Sequence, residues 1–237
     1  MRIRPALAAA LFAAAALVLA VPAGAADTTR PGTAVPAAAA RHRAVGEEVT
    51  TTLYGAIGAL PVAAEDRTGY ERTKFRHWID ADRNGCNTRA EVLIAEAVTA
   101  PEIGAGCVLT GGMWLSKYDD LLLNDAKLLD VDHVVPLAEA WDSGASAWSA
   151  AERQAYANDL DEPRALIAVS AKSNRSKADK DVTEWLPPAA DYRCTYITDW
   201  TVVKTRWGLS IDQAEADTLR RLAAACPNEP LTVTLAR

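Results

Sequence analysis

The chain has 237 residues, half of them apolar, and a formal charge of −6. That length suits one ordinary domain with a real core, while the acidic balance argues against a broad non-specific nucleic-acid binder, whose affinity would come mainly from Lys and Arg. No G-x-S-x-G elbow, H-E-x-x-H helix or phosphate-binding glycine loop is present, which sets aside the hydrolase, zinc-protease and nucleotide-binding classes those motifs mark.

Arg2 and Arg4, an apolar run over residues 6–21 and the small residues Ala23-Gly24-Ala25 make residues 1–26 a secretory signal peptide, too short and Ala-rich for a membrane span. Its loss leaves the remainder more acidic still. Residues 27–48, mostly Ala, Pro, Thr and Gly, are expected to form a flexible linker. The expectation for residues 49–237 is one secreted extracellular domain, monomeric and free of the membrane.

Residues 69–80 suggest a helix with Tyr70, Phe75, Trp78 and Ile79 as its apolar positions. From Asp80 the sequence fits the calcium-loop pattern D-x-[DN]-x-[DN]-G-x₅-E, with Asp80, Asp82, Asn84 and Glu91 as oxygen donors, Gly85 at the sharp turn and helices expected on both sides. Two features oppose calcium: polar Asn87 stands where an aliphatic is usual, and Cys86 is expected in a disulfide. The competing reading is a rigid turn whose Asp82 and Arg89 support or line an active site. A helix over residues 90–98 follows.

The four cysteines, Cys86, Cys107, Cys194 and Cys226, read in an exported chain as disulfides with three possible connectivities. The sequence-local pairs, Cys86 with Cys107 and Cys194 with Cys226, are favoured. No pair has zinc-knuckle spacing.

Residues 128–135, rich in Leu and Val and closed by Pro136, predict a strand that releases Asp132 and His133 at its end. Ser149 can cap a helix reaching residue 157. Residues 165–169 are of strand length, and Ser170 or Ser173 can begin a short helix carrying Asn174, before Pro187-Pro188 stops the segment. Residues 192–207 and a helix over residues 211–226, with Ser210 as cap and Gln213 at capping-box spacing, complete the domain. The fold class expected is α+β, mainly helical, with a ββα core over about residues 127–188.

The linked set Asp130-Val131-Asp132-His133-Val134-Val135-Pro136-Leu137, then Trp141, Gly144, Trp148, Arg153, Ala157-Asn158-Asp159, Ala168-Val169, Asn174-Arg175-Ser176-Lys177, Asp179-Lys180 and Glu184-Trp185-Leu186-Pro187-Pro188 resembles the HNH, or ββα-metal, endonucleases. It is most similar to secreted bacterial members related to the C-terminal nuclease domain of GmrSD restriction enzymes. Asp82-Arg83-Asn84-Gly85-Cys86-Asn87-Thr88-Arg89 also looks like these members.

The resemblance implies that Asp132 and Asn174 hold one divalent cation, and such hard oxygen donors suit Mg²⁺ or Mn²⁺. His133 would be the general base that takes a proton from water. Arg175, Lys177 and Lys180 form a basic cluster placed to meet phosphates. The chain departs from the family pattern where an Asn orients the catalytic imidazole: Pro163-Arg164-Ala165-Leu166 carries none, and Asn158 is the nearest substitute, with a backbone carbonyl or Asp159 as alternatives.

The function expected is hydrolysis of nucleic-acid phosphodiesters, DNA before RNA. The alternative is a non-catalytic secreted module on the same scaffold that binds partners through Ca²⁺ at the acidic loop.

Overall fold

A computed structural model describes residues 44–237; the signal peptide and most of the expected linker lie outside them. The first strand, β1 (Glu48–Thr52), starts where the linker was expected to end. It pairs antiparallel with the last, β8 (Pro230–Thr234), clasping the two ends of the domain. Gly46 and Glu47 already bond to Leu235.

Thr52 caps α1 (Leu53–Ala59), whose Leu53, Ala56 and Ile57 pack against α6 (Arg193–Trp207) and α7 (Gln213–Ala223). Asp212 rather than Ser210 caps α7, accepting from Glu215 N–H. Ser210 is drawn off by the Ser143 carbonyl, and Ile211 is buried and bonded to the carbonyl of Pro61. Lys204 of α6 is sealed at the centre of this helical layer, donating to Glu139, Ser143, Ser210 and Glu215.

Residues 69–80 are not the expected helix. A single 3₁₀ turn (Arg72–Lys74) opens an irregular strap, residues 72–79, because outside groups take its backbone bonds: Arg153 donates to the Lys74 carbonyl, and Asn158 donates to the Arg76 carbonyl and accepts from the Ile79 N–H. Phe75 is fully buried among Trp141 and Tyr156. The amphipathic spacing is thus satisfied by tertiary packing, which overrides propensity.

Asn87 caps α2 (Thr88–Ala95), which ends three residues before its expected limit because Val98 and Thr99 turn to bond with Met113. Short hairpins follow: β2 (Glu102–Ile103) with β3 (Leu109–Thr110), and β4 (Trp114–Ser116) with β5 (Leu121–Leu123). The disulfides join Cys86 to Cys107 and Cys194 to Cys226, with Cα separations of 5.1 and 5.5 Å.

At the centre, β6 (Leu129–His133) and β7 (Leu166–Ser170) form an antiparallel pair in which Asp132 faces Ile167 and His133 faces Leu166. The excursion between them holds α3 (Leu137–Asp142) and α4 (Ala150–Ala157), the latter opened by a full Ser149–Glu152 capping box. All five residues of β7 are buried, which explains its unbroken apolar run. It passes without a loop into α5 (Ala171–Lys177), capped by Ser170. The fold is mixed α+β.

Candidate active site

Strand alternation places Asp130 and Asp132 on one face of β6. Helix α5 lies against that face. Lys177, wholly buried, donates to Asp132 Oδ2 at 2.7 Å and to the His133 carbonyl at 2.9 Å. One turn earlier, Asn174 Nδ2 donates to Asp130 Oδ2 at 3.2 Å. Tyr118, also sealed, gives its hydroxyl to Asp132 Oδ2 at 2.7 Å. The loop carrying Tyr118 is tied to the start of α5, since Asp119 accepts from the hydroxyls of Ser116, Ser170 and Ser173. Burial pushes the Asp132 carboxyl up and the Lys177 ammonium down, while their mutual attraction opposes both shifts.

His133 closes β6 with its ring in an aromatic slot. Trp78 of the strap stacks on it at a centroid distance of 5.3 Å and 26°, and Tyr156 lies nearly parallel at 6.4 Å. Nε2 is 3.0 Å from the Ala157 carbonyl. A carbonyl only accepts, so Nε2 bears the hydrogen and Nδ1 keeps the lone pair. Nδ1 has no hydrogen-bond partner among the described residues and is not fully enclosed. Burial pushes the imidazole down to about 3, against the Ala157 hydrogen bond, which works the other way. At neutral pH the ring is therefore uncharged.

Trp78 is held at φ +59°, a conformation costly for a bulky side chain, of the order of 1–3 kcal/mol. Strain of that size persists only where the surroundings impose it. Here they are the bonds to Asn158 on either side of Trp78.

Carboxylate and amide oxygens are donors of the kind a hard divalent cation takes. Asp132 uses only Oδ2 for its protein partners, and Asn174 only its Nδ2, so a carboxylate oxygen and an amide oxygen remain open among the described residues. Lys177 already supplies one positive charge at Asp132, so a cation there would share the carboxylate with an ammonium.

Residues 106–222 match the family model described as GmrSD restriction endonucleases, C-terminal domain. A protein of the fungus Arthroderma benhamiae, described only as an uncharacterized secreted protein, is 39% identical over 175 residues, covering 74% of this chain and 83% of that protein. That central segment is similar to the GmrSD C-terminal domain family. No solved structure matches it. The family segment takes in Tyr118, the β6–β7 pair, α5 and the Ala157 carbonyl, whereas the strap and the acidic loop precede it. The kinship brings the relative's secreted description alongside this chain's two disulfides, and no helix among the described residues is long and apolar enough to cross a membrane.

Three expectations are corrected. Asn158 does not touch His133: its Oδ1 accepts from Ile79 N–H and the Thr88 hydroxyl, and its Nδ2 donates to the carbonyls of Arg76 and Gln154. Asp159 is not the orienter either, being gripped by Arg206 and Trp207. Lys177 does not belong to the solvated basic face, because its place on α5 points it at β6. Arg175 and Lys180 do lie exposed, Arg175 at 3.5 Å from Asp130 and Lys180 on the Ser176 carbonyl.

The acidic loop lacks its entering helix, and α2 begins inside the motif at Thr88. Asp82, Asn84 and Glu91 nevertheless converge, with Asn84 Nδ2 donating to both acids and Asp80 accepting from Gly85 N–H. Arg89 braces the entry to β6, donating to the carbonyls of Ala126 and Leu129. Sequence reasoning missed Tyr118 and the role of Trp78. Asp130, two residues before Asp132 on the same strand, could have been found from alternation.

Proposed function

We propose that the protein is an exported endonuclease of the ββα-metal type that hydrolyses phosphodiester bonds, with DNA the first substrate to test. The observation that carries the reading is His133, fixed through Nε2 and left with one free nitrogen, next to an Asp whose strand face is crossed by the helix bearing Asn174. Such an imidazole is a general base with one available lone pair. Asp132 and Asn174 would hold Mg²⁺ or Mn²⁺, which when bound polarises the phosphoryl oxygen and stabilises the leaving oxygen.

The chain's own groups supply the rest. His133 Nδ1 receives the proton of the water whose oxygen attacks phosphorus, while the bond from phosphorus to the leaving oxygen breaks. The buried ring is weakly basic in the free protein, and a phosphate dianion or diester held beside it raises that basicity by favouring the imidazolium. Lys177 and Tyr118 hold the Asp132 carboxylate in place, and the exposed Arg175 and Lys180 are positioned to meet the nucleic-acid backbone.

Supercoiled plasmid incubated with the processed protein in Mg²⁺, Mn²⁺ or EDTA, beside His133→Ala, tests this. Nicking is expected with metal and wild-type protein only. Cleavage that survives EDTA or His133→Ala refutes the mechanism, and no cleavage of DNA or RNA with any metal refutes the nuclease.

A further inference from the structure

We infer that Trp78 is a positioning residue for His133, and that Asn158 acts on the imidazole through Trp78 by pinning the strap that carries it. The inference rests on the reading of His133 as a general base, but it concerns a segment outside the residues matched to the family. Three observations converge. The indole covers one face of the imidazole at 5.3 Å and 26°. The backbone holds Trp78 at a positive φ that a free chain would abandon. Asn158 bonds to the strap on both sides of it, at the Arg76 carbonyl and the Ile79 N–H.

The geometry makes the last turn of α4 a two-part clamp. Ala157 fixes Nε2 through its carbonyl, and the next residue fixes the indole against the ring face. One hydrogen bond alone leaves an imidazole able to swing about the Nε2–H axis or flip. An aromatic plate on one face and Tyr156 alongside remove that freedom. Thr88 reinforces the clamp, since its hydroxyl reaches both the Ile79 carbonyl and Asn158 Oδ1. A base held in one tautomer and one plane presents Nδ1 to water with no reorganisation.

The chain's histidines are His42, His77 and His133, so the ring nitrogens can be read by ¹⁵N–¹H correlation on the histidine-labelled, metal-free full chain. Wild type is expected to show His133 as a single Nε2–H tautomer. Trp78→Ala is expected to give a mixture of tautomers and a kcat lower by about 10- to 100-fold, with KM within about twofold. Trp78→Phe, which keeps an aromatic face, should restore both readings. Asn158→Asp, which keeps the acceptor for Ile79 N–H but loses the donor to Arg76, should loosen the tautomer in the same direction and serves if Trp78→Ala does not fold.

An unchanged single tautomer in Trp78→Ala overturns the inference, as does a Trp78→Phe protein that behaves like Trp78→Ala. Loss of the tautomer lock with kcat unaltered also overturns it. A wild-type protein that cuts nothing removes the nuclease reading instead, while the tautomer measurement still decides whether the clamp exists.

Discussion

Replacing Lys177 by Met keeps most of the side-chain volume and deletes the ammonium. Two partners are then abandoned in the interior: Asp132 is left with the Tyr118 hydroxyl alone, and the His133 carbonyl loses its α5 donor. Removing one member of a buried ion pair costs about 3–5 kcal/mol because the other charge stays desolvated and uncompensated. A domain has only about 5–15 kcal/mol in total, and at this size each kcal/mol moves Tm by about 2–4 °C. The expected loss is therefore roughly 6–20 °C, measured without metal by urea and thermal unfolding with tryptophan fluorescence. The same substitution in a D132N background should cost only about 1 kcal/mol, since a hydrogen bond rather than a charge is lost there. A cost below about 0.5 kcal/mol in the wild-type background, the usual price of an exposed lysine, refutes the placement and returns Lys177 to the exposed basic face.

Glu96 tests the pH dependence of stability. Its Oε2 accepts from Ala168 N–H in β7, and burial pushes its carboxyl up to about 7. The native state then keeps a proton that the unfolded chain releases near 4.5, so this contribution is full below pH 4.5 and is lost as pH rises through 7. That displacement corresponds to about 3 kcal/mol. Glu96→Gln, which retains an acceptor for Ala168, is expected to match wild type at pH 4 and exceed it by up to about 3 kcal/mol at pH 8, and parallel stability profiles contradict this. The acidic loop has two competing readings, a calcium site and a rigid turn: a calcium site requires Ca²⁺ at 100-fold over its Kd to stabilise by about 2.7 kcal/mol and Asp80→Ala to abolish the gain. An unshifted melting temperature in both proteins removes the loop from consideration.

The central strands, the caps of α4 and α5 and the disulfide pairing were legible because each has a local cause: an apolar run closed by Pro136, a Ser before a helical pattern, cysteines close in sequence. The strap was misread for the opposite reason. Tyr70, Phe75, Trp78 and Ile79 keep helical spacing, but Phe75 is claimed by Trp141 and Tyr156, Trp78 by His133, and the backbone by Asn158, all from elsewhere in the chain. Lys177 was misread because a basic cluster looks the same whether one of its members points out or in; the turn of α5 decides, and it carries Arg175 outward and Lys177 onto β6.

The orienter of His133 could not have been found by searching for an amide side chain, because the group that does the work is the Ala157 carbonyl, and every residue has a carbonyl. What the sequence did hold was its neighbour. Asn158 follows Ala157 directly, and Arg206 and Trp207 grip the next residue, Asp159. The end of α4 is thus anchored to the C-terminal helical layer on one side and to the strap on the other. A backbone carbonyl becomes a precise partner for an imidazole only when the chain on either side of it cannot move, and these three consecutive residues meet that condition.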